Sequence, residues 1–111
     1  MAVVNQYKFV GIDDSTSGSA LTPFGSGNPL VSETYLVKSI LVTSAGTPVV
    51  TIINNSITAI KSAALTANVT TELLTQPLIV EGGKTFTVQS STSDSFVVAI
   101  IYLNIKKEVT T

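Results

Sequence analysis

At 111 residues the chain has room for one domain and one modest core. It is 44% hydrophobic but only 12% charged, about half the ~25% of an ordinary globular domain, and its net charge of −1 offers no basic surface for a phosphate backbone. It contains no Cys, His, Arg or Trp, which removes disulfides, thiolate metal sites and the usual catalytic triads and dyads.

The first segment, AVVNQYKFV (2–10), alternates loosely, with Val3, Tyr7 and Phe9 on one parity. It reads as a strand or an extended arm. Residues 11–32 carry four Gly, two Pro and many Ser and Thr, and no period survives in them. So long a connection is uncommon in a compact domain. Leu21, Phe24 and Leu30 within it have no use in a mere spacer, so the stretch is expected to lie as a clasp on a neighbouring subunit, with these three residues as anchors.

Strand signals then come at regular spacing. ETYLVKSILVT (33–43) places Tyr35 and Val37 on one parity, joined in strict alternation by Leu41, and Leu36, Ile40 and Val42 on the other. TPVVTIIN (47–54) starts at Pro48, where a missing N–H is tolerated. Asn54-Asn55 suits a tight hairpin turn, and SITAIKSAAL (56–65) is expected to pair back as a strand because β-branched residues dominate its first half. ANVTTELLT (67–75) reads as a further strand or strand edge, which Gln76-Pro77 ends. PLIV (77–80) is a short buried run, and Glu81-Gly82-Gly83-Lys84 is a turn with two residues free to take positive φ.

The last third is the most regularly patterned. KTFTVQSS and SFVVAIIYLNI read as a terminal hairpin closed by residues 91–94, with Phe86 and Val88 facing inward from the first strand. Phe96, Val98, Ile100 and Tyr102 line one face of the second strand and Val97, Ala99, Ile101, Leu103 and Ile105 the other. With both faces apolar, this strand is expected to be central and covered on two sides. The fold class is therefore all-β: an antiparallel sandwich or jelly roll of seven to eight strands, with residues 1–32 as N-terminal strand and arm and residues 33–111 as the core.

Chemistry is sparse. Lys38-Ser39 and Lys61-Ser62 are adjacent, but strand neighbours point to opposite faces, so neither forms a catalytic pair. Asp13-Asp14 is the only local carboxylate pair; a Ca²⁺ site is the sharper reading and an Asx-capped turn the simpler one. Asn54-Asn55-Ser56 and Asn68-Val69-Thr70 match glycosylation acceptors, which mean nothing without a secretory route. The N-terminus lacks the basic and apolar regions of a signal peptide, and no apolar run approaches the ~18–20 residues of a membrane span. No cofactor, metal, nucleic acid or membrane partner is expected, nor an enzyme.

The segment ELLTQPLIV, the turn Glu81-Gly82-Gly83-Lys84, the strand TFTVQSS and the terminal strand SFVVAIIYLNI together resemble small virion structural proteins of tailed bacteriophages. YLVKSILVTSAGTPVVTIINN resembles the opening hairpin of that family, so the likeness covers about two-thirds of the chain, leaving out residues 11–32. Lys84 stands where such turns often carry Asp, and similar strand–Gly–strand patterns occur in trimeric tumour-necrosis-factor-like and C1q-like jelly rolls. The resemblance implies a non-enzymatic part of the particle, made in the host cytoplasm: a capsid decoration (cement) protein, or alternatively a tail, neck or baseplate accessory. The expected partners are further copies of the chain and the major capsid or tail proteins. Low charge agrees, because a surface poor in ionic groups suits a subunit sheathed by neighbours. The expected subunit interface comprises Leu21, Phe24, Leu30, Tyr7 and Tyr35, since aromatic residues are enriched at interfaces. A host-receptor, glycan-binding module would instead expose Tyr7, Tyr35 or Phe24 on one rim.

Overall fold

The computed structural model of the chain describes residues 3–14, 20–25 and 29–107. Within them are eight strands and no helix: β1 (Val3–Asp14), β2 (Glu33–Ser44), β3 (Val50–Asn54), β4 (Ile57–Lys61), β5 (Thr71–Glu72), β6 (Leu78–Val80), β7 (Phe86–Ser90) and β8 (Phe96–Lys107). All pairings are antiparallel. One sheet runs β1-β8-β2-β5, with β6 also on β2; the other runs β4-β3-β7. Leu21 forms an isolated bridge to Val88 on the free side of β7, closed by Leu21 N–H to Val88 O at 2.8 Å and its reciprocal at 2.9 Å. With that bridge as a rudimentary strand, each sheet has four positions, and the chain passes between them in the order of a jelly roll.

The core lies between the sheets. Val37, Ile40, Val42, Val98, Ile100 and Phe96 face it from the larger sheet; Val50, Ile52, Val88 and Phe86 face it from the smaller. Burying each such side chain contributes ~1.5–3 kcal/mol relative to exposure. At one end the rings of Phe24, Tyr35, Tyr102 and Phe86 stack edge-on or tilted, with centroids 4.6–5.2 Å apart. Such pairs add ~0.5–1.5 kcal/mol each beyond area.

Three expectations about the strands change. The terminal strands do not form a hairpin. β7 belongs to the small sheet and β8 to the large one, and residues 91–95 cross between them. Both strands turn an apolar face to the core, and they do so from opposite layers. β8 is central, between β1 and β2, but its second face is not covered: Val97 and Ile101 are 39% and 40% exposed. In β2 the register shifts between Val37 and Ser39, so that Lys38 is an extra, exposed residue. The bulge moves Ile40 and Val42 onto the same core face as Tyr35 and Val37 and leaves Leu36 and Leu41 on the other.

The interrupted edge explains the bulge. β5 pairs with β2 at Leu41 and Val42, β6 at Tyr35, Leu36 and Val37, and Gln76-Pro77 separates them. In the gap the Glu72 carboxylate accepts the Ile40 N–H at 2.7 Å and also the Ser39 hydroxyl, so a side chain stands in for the missing strand. The β3–β4 turn places Asn55 and Ser56 at φ 52° and 64°, as a type I′ turn requires, one residue later than the Asn54-Asn55 pair. In the β6–β7 turn only Gly83 takes positive φ, at 78°.

Candidate interaction surface

The outward face of the larger sheet is set by parity. On β1 it comprises Asn5, Tyr7, Phe9 and Gly11; on β8, Ile105, Leu103, Ile101 and Ala99; on β2, Thr34, Leu36, Ser39 and Leu41. One row crosses four strands without a polar residue: Tyr7 opposite Leu103, Leu103 opposite Leu36, Leu36 opposite Ile79. The next row sets Phe9 against Ile101 and Ser39. Tyr7 is 65% exposed, Phe9 69% and Ile79 55%. On β1, β8 and β2 no charged side chain lies in the rows of Asn5, Tyr7 and Phe9. Lys38 at the bulge and Glu72 beyond Leu41 border them. Four strands at ~4.8 Å spacing and seven residues at ~3.3 Å give a face of roughly 450 Å², within the ~300–600 Å² of the largest patch on an ordinary monomer, a patch that is often functional.

The residues expected at an interface fall in different places. Tyr7 lies on this face. Tyr35 is a core residue, 6% exposed, and so presents nothing to a neighbour. Leu21 and Phe24 are half-buried against their own chain, Leu21 on β7 and Phe24 within the aromatic cluster. Leu30 is exposed but stands in the turn before β2, away from the face. Residues 15–19 and 26–28 of the expected clasp lie outside the described residues. β1, for its part, pairs along its whole length with β8 and is integral to the large sheet. The expectation placed Phe9 with the N-terminal strand and Ile101, Leu103 and Ile105 on an apolar parity of β8. What it lacked was that these side chains share a bare face.

A second cluster is polar and internal. Glu33 is 8% exposed; its Oε1 accepts the Leu30 N–H at 3.2 Å and its Oε2 the Asn104 side-chain N–H at 3.0 Å. Asn104 is 7% exposed and its Oδ1 has no hydrogen-bond partner. Beside them burial, then the Glu33 charge and then Tyr102, push the Tyr35 phenol up to about 12. Tyr102 is raised by burial and then by Glu33. The arrangement ties the start of β2 to β8 and closes the end of the sandwich; its carboxylate is occupied by structural hydrogen bonds. Among the described residues no three His, Cys, Asp or Glu side chains group to hold a metal, and no helix is long and apolar enough to cross a membrane. Asp13 is exposed at the end of β1.

No family model and no curated protein sequence matches the chain.

Proposed function

We propose that the chain is a non-enzymatic structural protein of a bacteriophage virion, a capsid decoration subunit that self-associates and binds the particle surface. The observation that carries the reading is the bare apolar row from Tyr7 through Leu103 and Leu36 to Ile79, on a body with few charges. A face of this kind is stabilised by being covered, and copies of the chain gathered on a particle supply that cover. The sequence resemblance supports the virion setting. A tail, neck or baseplate accessory would use the same face. The direct test is mass spectrometry of purified particles, followed by incorporation of an Ile101→Lys variant. The chain is expected among the virion proteins at high copy number, with the variant lost from particles. Its absence from intact particles would end the reading.

One observation favours a second reading. Tyr7 and Phe9 expose two aromatic rings side by side on one strand, and such rings can stack on sugars. A host-receptor module of this kind would bind cell-surface glycan and lose binding with Tyr7→Ala. A glycan array silent for the wild-type chain would exclude it.

A further inference from the structure

We propose that the occupant of the outer face of the β1-β8-β2-β6 layer is a second copy of this chain, packed sheet against sheet. The inference names the partner of the face on which the proposed function rests, but does not need the virion setting.

Three features of the face select a second copy. The first is its charge. On β1, β8 and β2 the rows of Asn5, Tyr7 and Phe9 hold no charged side chain, so two copies meet there without like-charge repulsion. An ordinary charged protein surface laid over them would instead have its ions desolvated and unpaired. The second is area. Roughly 450 Å² per copy buries about 900 Å² in a pair, the size of a weak, concentration-dependent interface. The third is the pattern of β8. Its inward residues Val98, Ile100 and Tyr102 are buried in the core, while Ile101, Leu103 and Ile105 on the opposite face are equally apolar. That composition belongs to a strand covered on both sides. A second β8 supplies the missing layer with a surface of identical character, and two-fold self-pairing is the commonest way for a chain to cover such a face.

The surface is also levelled for sheet packing. Gly11 would leave a dip beside Ala99, but the Phe9 ring lies over it, with Cε2 and Cζ 3.4 Å from where a Cβ would stand. The filled row lets two sheets approach at the ~10 Å of an ordinary sandwich.

The test is the solution mass of the purified chain by light scattering at about 50 μM, which populates a pair whose Kd is in the micromolar range. The wild-type chain is expected at two or more times its 11.6 kDa monomer mass. Ile101→Lys is expected to weaken association at least tenfold and return the single-copy mass. Phe9→Ser, at an exposed edge position, should do the same and serves if the first variant does not fold by circular dichroism. Val31→Lys, exposed but off the face, should leave the mass unchanged. A single-copy wild-type mass overturns the inference, and so does an oligomer indifferent to both face variants. A pair in solution that is missing from particles supports this inference and sinks the virion reading; a lone copy that still decorates particles does the reverse.

Discussion

The ring of Phe9 covers Gly11 two residues along the same strand, its Cε2 and Cζ both 3.4 Å from the point a Cβ at position 11 would occupy. Glycine weakens a strand because it adds backbone entropy and packs nothing; an aromatic neighbour laid across it restores part of the lost contact. The two positions should therefore be coupled. Phe9→Ala is expected to destabilise the chain more in the native background than in the Gly11→Ala background, by about 0.5–1 kcal/mol. Gly11→Ala alone is expected to stabilise by about 0.5 kcal/mol, since the ring is exposed and can shift by a few tenths of an ångström. Urea unfolding followed by circular dichroism measures the cycle, because the chain has no Trp. Additive effects would show that the ring does not protect the glycine.

Glu72 spans the gap between β5 and β6 by accepting from Ile40 N–H and Ser39 Oγ–H. Removing it leaves a buried residue's N–H in a bulge with no substitute acceptor. Glu72→Ala is expected to cost about 1–3 kcal/mol, the range for losing hydrogen bonds to a charged acceptor. Glu72→Gln retains one acceptor oxygen and should cost less than half as much. Equal urea midpoints for the wild-type chain and the Ala variant would mean that β2 holds its bulge without help.

Inward parities were legible in the sequence because they are local. Phe86 and Val88, and Phe96, Val98, Ile100 and Tyr102, alternate with a period of two, and the buried faces of β7 and β8 follow it. The partners of those strands were not legible. Residues 91–95 are short enough for a hairpin and equally able to cross between layers, and nothing local distinguishes the two. The bulge at Lys38 was hidden for a similar reason: it depends on Glu72, far along the chain. Strict alternation therefore put Leu41 with Tyr35 when Ile40 belongs there. Of the outer face, the apolar second parity of β8 was visible; its bareness follows from β1 joining the large sheet, which places Tyr7 and Phe9 beside Leu103 and Ile101.

The tyrosines at the end of the sandwich give stability an alkaline limit. Burial is the main cause that lifts Tyr35 to about 12 and raises Tyr102, with the Glu33 charge adding to both. In the unfolded chain a tyrosine ionises near pH 10. Above that pH the unfolded state sheds protons that the folded state keeps, so unfolding is favoured. The stabilisation is full below about pH 10 and is lost as pH rises toward 12. Urea midpoints should hold steady up to about pH 9.5 and fall beyond it, and Tyr35→Phe should make that fall shallower. A midpoint that rises above pH 10, or a Phe variant that falls as steeply, would contradict the assignment.

Gly82 and Gly83 are adjacent but do different work in the β6–β7 turn. Gly83 takes φ of +78°, with space around it. Gly82 is pressed against the turn before β2, where a Cβ would stand 2.5 Å from Leu30 O and 2.6 Å from both Val31 O and Glu33 O. Those oxygens cannot yield cheaply. Leu30 O accepts the Glu33 N–H at 2.8 Å, and the neighbouring Pro29 O accepts the Gly83 N–H at 2.9 Å. Glu33 in turn holds Asn104 on β8, so a displaced turn disturbs the polar tie at that end of the sandwich. Gly82→Ala is therefore expected to destabilise by more than about 2 kcal/mol, as overpacking against a fixed backbone does. Gly83→Ala should cost about 1–2 kcal/mol from the left-handed conformation alone. Urea unfolding of both variants checks the ranking; a milder effect at position 82 than at 83 would show that the two turns can separate without loss.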